Sequence, residues 1–211
     1  MPANELAAIC LEIGAIKLNP MKPFQWASGN VMPVYNDNRL LLSAYEHRTF
    51  VGKKFLDIIR EKEIKTDMIA GAATAGIAPA VTLANLMECR LAYVRPDAKQ
   101  HGMKNQIEGA DPEGAQVVVV EDLISTGGSV LKVIDAIREA GGTVQHCFCI
   151  FSYDFAQAKE RFAEADCEMH SLLTFPTLLE YIKTSSRFTP GQAEILESWY
   201  QAPFSWTPPT P

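Results

Sequence analysis

No C-x-x-C pair occurs among the five cysteines, Cys10, Cys89, Cys147, Cys149 and Cys167, so neither a zinc ribbon nor a thioredoxin-type centre is indicated. No His/Cys cluster stands out either, and no fixed metal is expected. Nothing resembles a secretory signal, and no apolar run approaches the roughly 18 residues of a membrane span. Basic residues do not dominate: 19 Lys and Arg stand against 25 Asp and Glu. The resulting net charge of -6 argues against a broad nucleic-acid or anionic-membrane surface. Two familiar phosphate signatures are missing, G-x-x-x-x-G-K-[ST] and G-x-G-x-x-G. Internal repeats and low-complexity tracts are missing too. These absences leave a soluble, cytoplasmic protein as the expectation.

What is present is an alternation. At 211 residues and 47% hydrophobic, the chain can bury a full core as a single globular domain. Helical patterns at residues 4–16 and 44–61 flank a Pro- and aromatic-rich stretch. Then come a strand near 67–70, a helix near 77–87, a strand near 90–94, a long polar segment, a strand at 117–120, a helix at 129–140, a strand at 143–151 and a helix at 154–165. This order predicts an α/β fold, a mostly parallel twisted sheet flanked by helices. Cys147 and Cys149 share one face of a strand and read as core.

Three loops leave the carboxyl ends of predicted strands, where open α/β sheets bind ligands. In "VVVVEDLISTGGSVLKVIDAIREAGG" (117–142), Val117 to Val120 is a β-branched run suited to a strand buried on both faces. Val130, Leu131, Val133, Ile134 and Ile137 recur at helical spacing, and Gly141-Gly142 stops the helix. The loop between them opens with Glu121 and Asp122 and continues through Leu123 and Ile124 to Ser125, Thr126, Gly127, Gly128 and Ser129. Hydroxyls and glycine N–H groups at a helix start suit an anion. The two carboxylates, which only accept, suit a diol. Ribose 5-phosphate joins both chemistries in one ligand. An ordinary turn with an N-cap serine is the plainer alternative, and it requires fewer special residues.

The second loop, "GAATAG" (71–76), is almost wholly small, so its backbone can face a ligand; close helix–sheet packing explains the same residues equally well. The third, "RPDAKQHGMKNQIEGADPEGAQ", gathers Arg95, Lys99, His101 and Lys104 in an otherwise acidic protein. A polar run of that length reads either as a lid meeting a polyanion or as a solvated loop.

Taken together, the loops resemble those of the type I phosphoribosyltransferases, and within them the orotate phosphoribosyltransferases. "VVVVEDLISTGGS" is similar to that family's loop for phosphoribosyl pyrophosphate (PRPP), "GAATAGIA" to its pyrophosphate loop, and "YVRPDAKQHGMKNQIEG" to its flexible catalytic loop. "FQWASG" and "PVYNDNR" resemble the hood over the base. The resemblance implies the type I fold, divided into an N-terminal helix and base-covering hood (1–45), a phosphoribosyltransferase core (46–200) and a Pro-rich tail (201–211).

It also implies transfer of the phosphoribosyl group from PRPP to orotate, giving orotidine 5'-monophosphate and pyrophosphate in de novo pyrimidine biosynthesis. Glu121 and Asp122 would hold the ribose hydroxyls, and Ser125 to Ser129 the 5'-phosphate, with Ser125 also near orotate. Ala73, Thr74, Ala75 and Gly76 would meet the pyrophosphate, and Phe24, Trp26 and Tyr35 the planar base. Arg95, Lys99 and His101 would close over the donor, with Lys99, His101 and Asp122 as the catalytic set. Mg2+ would arrive on PRPP, with no metal site of the protein's own. A homodimer sharing the catalytic loop between subunits is implied as well.

The chain departs from the family's pattern at three places. Pro96 and Asp97 follow Arg95 where a lysine is common, Val31-Met32-Pro33 replaces a lysine-bearing hood segment, and Ala75 stands where some members have lysine. Two alternatives stay open, transfer to another base and PRPP sensing without catalysis. The hood and "NQIEG" weigh against the first, and Lys99, His101 and the acidic balance against the second.

Overall fold

The computed structural model describes residues 2–25, 29, 31–95, 106–185 and 187–209. In chain order they form α1 (Pro2–Glu12), β1 (Ile16–Leu18), β2 (Phe24–Gln25), β3 (Val31–Met32), β4 (Val34–Asn36), a 3-10 turn (Asn38–Ser43) and α2 (Tyr45–Glu61). There follow β5 (Met68–Ala72), α3 (Ile77–Met87), β6 (Arg90–Val94), β7 (Ile107–Gly109), β8 (Gln116–Ile124), α4 (Gly128–Glu139) and β9 (Thr143–Ser152). The last elements are α5 (Ala156–Glu164), β10 (Glu168–Thr174), α6 (Phe175–Thr184) and α7 (Pro190–Gln201).

The elements fall into two compact units, Leu42–Thr174 and Met1–Leu41 with Phe175–Pro211. The expected boundaries at 45/46 and 200/201 are therefore not where the contacts divide the chain. In the smaller unit, α6 and α7 pack with the N-terminal segment. Trp199 is fully buried and donates its Nε1–H to Met32 Sδ at 3.0 Å, with the Phe175 ring edge-on at 5.0 Å. A capping box of Thr189 and Gln192 starts α7, with Pro190 at its first position. The helix expected at 4–16 ends at Glu12, because Gly14 turns at φ +75° and Ile16 enters β1.

The larger unit carries a six-stranded sheet in the order β10-β9-β8-β5-β6-β7, all pairs parallel except β6 with β7. All five β5 residues are buried, as the uninterrupted run of apolar and small residues demands of a central strand. One face packs Val117, Val119, Cys147 and Cys149 against Val130, Val133 and Ile137 of α4 and Phe162 of α5, which assigns both cysteines to the core. On the other face Phe55 of α2 meets Phe148, ring centroids 5.5 Å apart. No helix among the described residues is long and apolar enough to cross a membrane.

Three expectations change. β8 continues past Val120 to Ile124, because β9 still offers partners where β5 has ended: Glu121 registers with Cys149, Leu123 with Phe151 and Ile124 with Ser152. Glu121 and Asp122 thus stand on a strand rather than in the loop. The long polar segment after β6 contains a strand, β7, which folds back on β6. β10, α6 and α7, absent from the predicted order, complete the chain.

Candidate active site

β5 and β8 run parallel, but the order in which strands are added reverses between them. The chain leaves β5 towards β6 on one side and returns from β7 to β8 on the other. This is a topological switch point, where the loops after the two strands diverge and leave a crevice. The pairing of β5 with β8 ends at Gly71 with Val120, one residue before Glu121. Glu121 and Asp122 therefore line the split on the β8 side.

The loop after β5 is held by backbone alone. Ala73 N–H donates to Val94 O at 2.8 Å and Gly76 N–H to Ala72 O at 3.0 Å, while the Ala73–Thr74 peptide is cis. Gly76 is there for space: a Cβ would collide with the Val120 carbonyl oxygen and lie 2.7 Å from Ala72 O. The N–H groups of Thr74 and Ala75 meet no acceptor among the described residues. Unpaired N–H groups just before α3 suit an anion.

The loop after β8 adds side chains. Ser125, Thr126, Gly127, Gly128 and Ser129 lead into α4, whose N-cap is Gly127 at φ +81°. The same glycine has the Phe162 ring 3.1 Å from where a Cβ would be, so conformation and space both select it. No backbone acceptor meets the N–H groups of Thr126 to Ser129 among the described residues. A helix start with free N–H groups and three hydroxyls suits an anion.

The two acids differ in environment from that helix start. Glu121 is half-buried and its Oε1 accepts the Asp122 N–H at 2.8 Å. Burial, with the adjacent Asp122 side chain adding to it, pushes the Glu121 carboxyl up to about 9. The ligand-free pair thus carries less negative charge than two ionised carboxylates would. That allows an anion a few residues away, and hydroxyl donors of a ligand are natural partners for the acids.

Arg95 ends β6 at the neck of the third loop. Its N–H donates to Gln106 O at 2.9 Å, Gln106 Nε2 donates to Arg95 O at 3.0 Å, and the guanidinium stands 3.9 Å from Glu108. Lys99, His101 and Lys104 lie outside the described residues, as do Pro96 and Asp97. Of the hood residues, Phe24 and Tyr35 belong to the smaller unit with ring centroids 5.8 Å apart, and Trp26 lies outside the described residues.

One site residue was not visible in the sequence. Arg161 of α5 donates to Thr126 O at 3.1 Å and would stand 3.3 Å from a Cβ on Gly128, so a cation braces the phosphate-type loop from below. Only the packing of α5 beside α4 brings it there. The reading that no His/Cys cluster exists is corrected as well: parallel pairing of β9 and β10 gathers His146, Glu168 and His170.

Comparison with known proteins agrees with this geometry. Residues 45–172 match the phosphoribosyl transferase domain. Over 206 residues the chain is 39% identical to the orotate phosphoribosyltransferase of Coxiella burnetii (strain RSA 493 / Nine Mile phase I), covering 98% of this chain and 99% of that one. It is 40% identical over 203 residues to the enzyme of that name from Listeria monocytogenes serotype 4b (strain F2365), covering 96% and 97%. Among solved structures, orotate phosphoribosyltransferase from Aeropyrum pernix is 31% identical with a TM-score of 0.75, over 86% of this chain and 99% of that one.

Proposed function

This chain belongs to the phosphoribosyl transferase domain family, with the orotate phosphoribosyltransferases, and we propose on that premise that it transfers the phosphoribosyl group of PRPP to orotate. The products are orotidine 5'-monophosphate and pyrophosphate. The observation that carries the reading is the switch point, where a backbone receptor after β5 and an acid-and-hydroxyl loop after β8 border one crevice. PRPP has an anion at each end and a diol between them. The fit is chemical complementarity along the whole donor, not a single contact.

In the proposed complex Ser125 to Ser129 hold the 5'-phosphate, with Ser125 also near orotate. Glu121 and Asp122 accept from the ribose hydroxyls, and Ala73 to Gly76 meet the pyrophosphate. The C1–oxygen bond to pyrophosphate breaks as C1 bonds to a ring nitrogen of orotate, whose N–H proton leaves to pyrophosphate or solvent. Positive charge grows on the sugar and negative charge on the leaving group. The acids favour the first. Arg95, with Lys99 and His101 after it in sequence, offsets the second and excludes water that would hydrolyse the donor. Mg2+ suits the oxygen-only donors of PRPP, on which it would arrive, and when bound it would neutralise pyrophosphate charge. The loop bearing Lys99 serves the neighbouring subunit of a homodimer in this reading.

The test is incubation with PRPP and Mg2+ plus orotate, uracil, adenine, guanine or hypoxanthine, following nucleotide and pyrophosphate. Nucleotide from orotate alone is expected, and none after exhaustive chelation. Equal turnover of uracil, or full activity without Mg2+, would reject the assignment. PRPP binding without turnover of any base would favour the sensing alternative.

A further inference from the structure

Parallel pairing of β9 with β10 places His146 opposite Glu168, and Glu168 and His170 alternate onto one face of the edge strand. Three potential ligand atoms converge there. His146 Nδ1 lies 3.1 Å from His170 Nε2, and Glu168 Oε2 lies 3.7 Å from each. We propose that His146, Glu168 and His170 form a site for a divalent transition metal of the zinc type, tying the edge strand β10 to β9.

Distance is the first argument. A point equidistant from three atoms so spaced lies about 2 Å from each, the bond length of zinc to imidazole nitrogen and carboxylate oxygen. Ligand type is the second. Two imidazoles and one carboxylate suit zinc, cobalt or nickel rather than magnesium or calcium, which take oxygen donors.

Orientation is the third. The His170 ring stands edge-on to Phe148 at 4.9 Å and is only 5% exposed, so its nitrogen is aimed before any metal arrives. Lys62 Nζ holds Glu168 Oε1 at 2.7 Å, which fixes the carboxylate and leaves Oε2 for the imidazoles. Two nitrogens 3.1 Å apart cannot both carry protons towards each other, so at least one lone pair already points into the gap.

Solvent reaches the cluster. The side chains of Glu168 and His146 are 52% and 25% exposed, and a surface pocket lined by Gln145, His146, Asp166 and Glu168 opens beside them. Water can fill the remaining coordination positions. The site is separate from the crevice: His146 and Phe148 face α2, whereas Glu121 shares the opposite face with Cys149. Its role is therefore to stabilise the sheet edge.

The experiment uses the full chain, stripped with a chelator and titrated with Co2+ and Zn2+ at neutral pH. Wild type should bind one equivalent, give the visible absorption of nitrogen- and oxygen-ligated Co2+, and melt at a higher temperature in roughly 100 µM Zn2+. His146→Ala and Glu168→Gln, both at accessible positions, should weaken binding at least as much as the roughly 10–100-fold loss seen for outer-sphere partners. Both should fold, as circular dichroism would report. Asp122→Asn should bind like wild type, which separates this site from the crevice carboxylates. No binding by wild type at that concentration would overturn the proposal, as would an equivalent retained in both variants.

Discussion

The loops after β5 and β8 leave the same end of one sheet and border the same crevice, yet they are built from opposite materials. The β5 loop presents backbone: Thr74 is exposed, its neighbours are small, and Gly76 is glycine because the Val120 carbonyl leaves no room. The β8 loop presents chemistry: two acids, three hydroxyls and a helix start braced by Arg161. A ligand group of invariant shape and charge can be read by N–H groups alone, whereas a diol beside a developing cation needs side chains. The two loops should therefore fail in different ways when mutated, one through shape and the other through chemistry.

The largest expected effect is on the chemical side. Asp122→Asn should lower kcat roughly 10^3-fold with the fold unchanged, the usual consequence of removing one preorganised electrostatic group. Lys99→Ala should lower it about 10^2–10^3-fold. If the loop serves the partner subunit, mixing these two variants under verified subunit exchange restores activity towards about a quarter of wild type. Random pairing makes half the dimers mixed, each with one intact site. No recovery places the loop in its own subunit's site.

Next come the hydroxyls. Thr126→Ala and Ser129→Ala should each raise KM for PRPP about tenfold or more, since a hydrogen bond to a charged group contributes about 1.5–3 kcal/mol. Thr74→Ala, in the backbone loop, should change KM less than about threefold. Steady-state kinetics across the three variants checks the contrast, and equal effects would erase it. Gly76→Ala reverses the pattern. The added methyl meets backbone oxygens that cannot yield, so stability should fall by about 1–3 kcal/mol, measured by urea denaturation, with PRPP affinity falling too.

The same contrast explains what could be read from the sequence. Hydroxyls, acids and glycines after a run of valines are local signals, and they marked the β8 loop. The extent of β8 was not local: whether Glu121 is strand or loop depends on β9 outlasting β5 as a partner. β7 was hidden for a like reason, because "QIEG" becomes a strand only by pairing with β6. Arg161 and the His146–Glu168–His170 cluster depend on which elements become neighbours across 20 or more residues of chain. The packing of Trp199 against Met32 spans 167 residues and could not be inferred from periodicity.

The last effect expected is on stability rather than turnover; it concerns Glu121 in the ligand-free protein, and it separates binding chemistry from folding. Its carboxyl is raised from 4.5 to about 9 by burial, with Asp122 adding to the shift. A raised folded-state value means the native protein holds a proton that the unfolded chain releases near 4.5. The stabilisation is complete below that pH and is lost as pH climbs from about 4.5 to about 9. Glu121→Gln keeps an oxygen to accept the Asp122 N–H and gains a donor, but it has no proton to lose. Thermal melts without PRPP should therefore show wild type and variant nearly alike at pH 5. The variant should become progressively the more stable towards pH 9, even though loss of the ribose contact makes it a poorer enzyme. A stability difference that does not change with pH would mean that Glu121 is ionised in the free protein, and that the crevice holds both negative charges before the donor arrives.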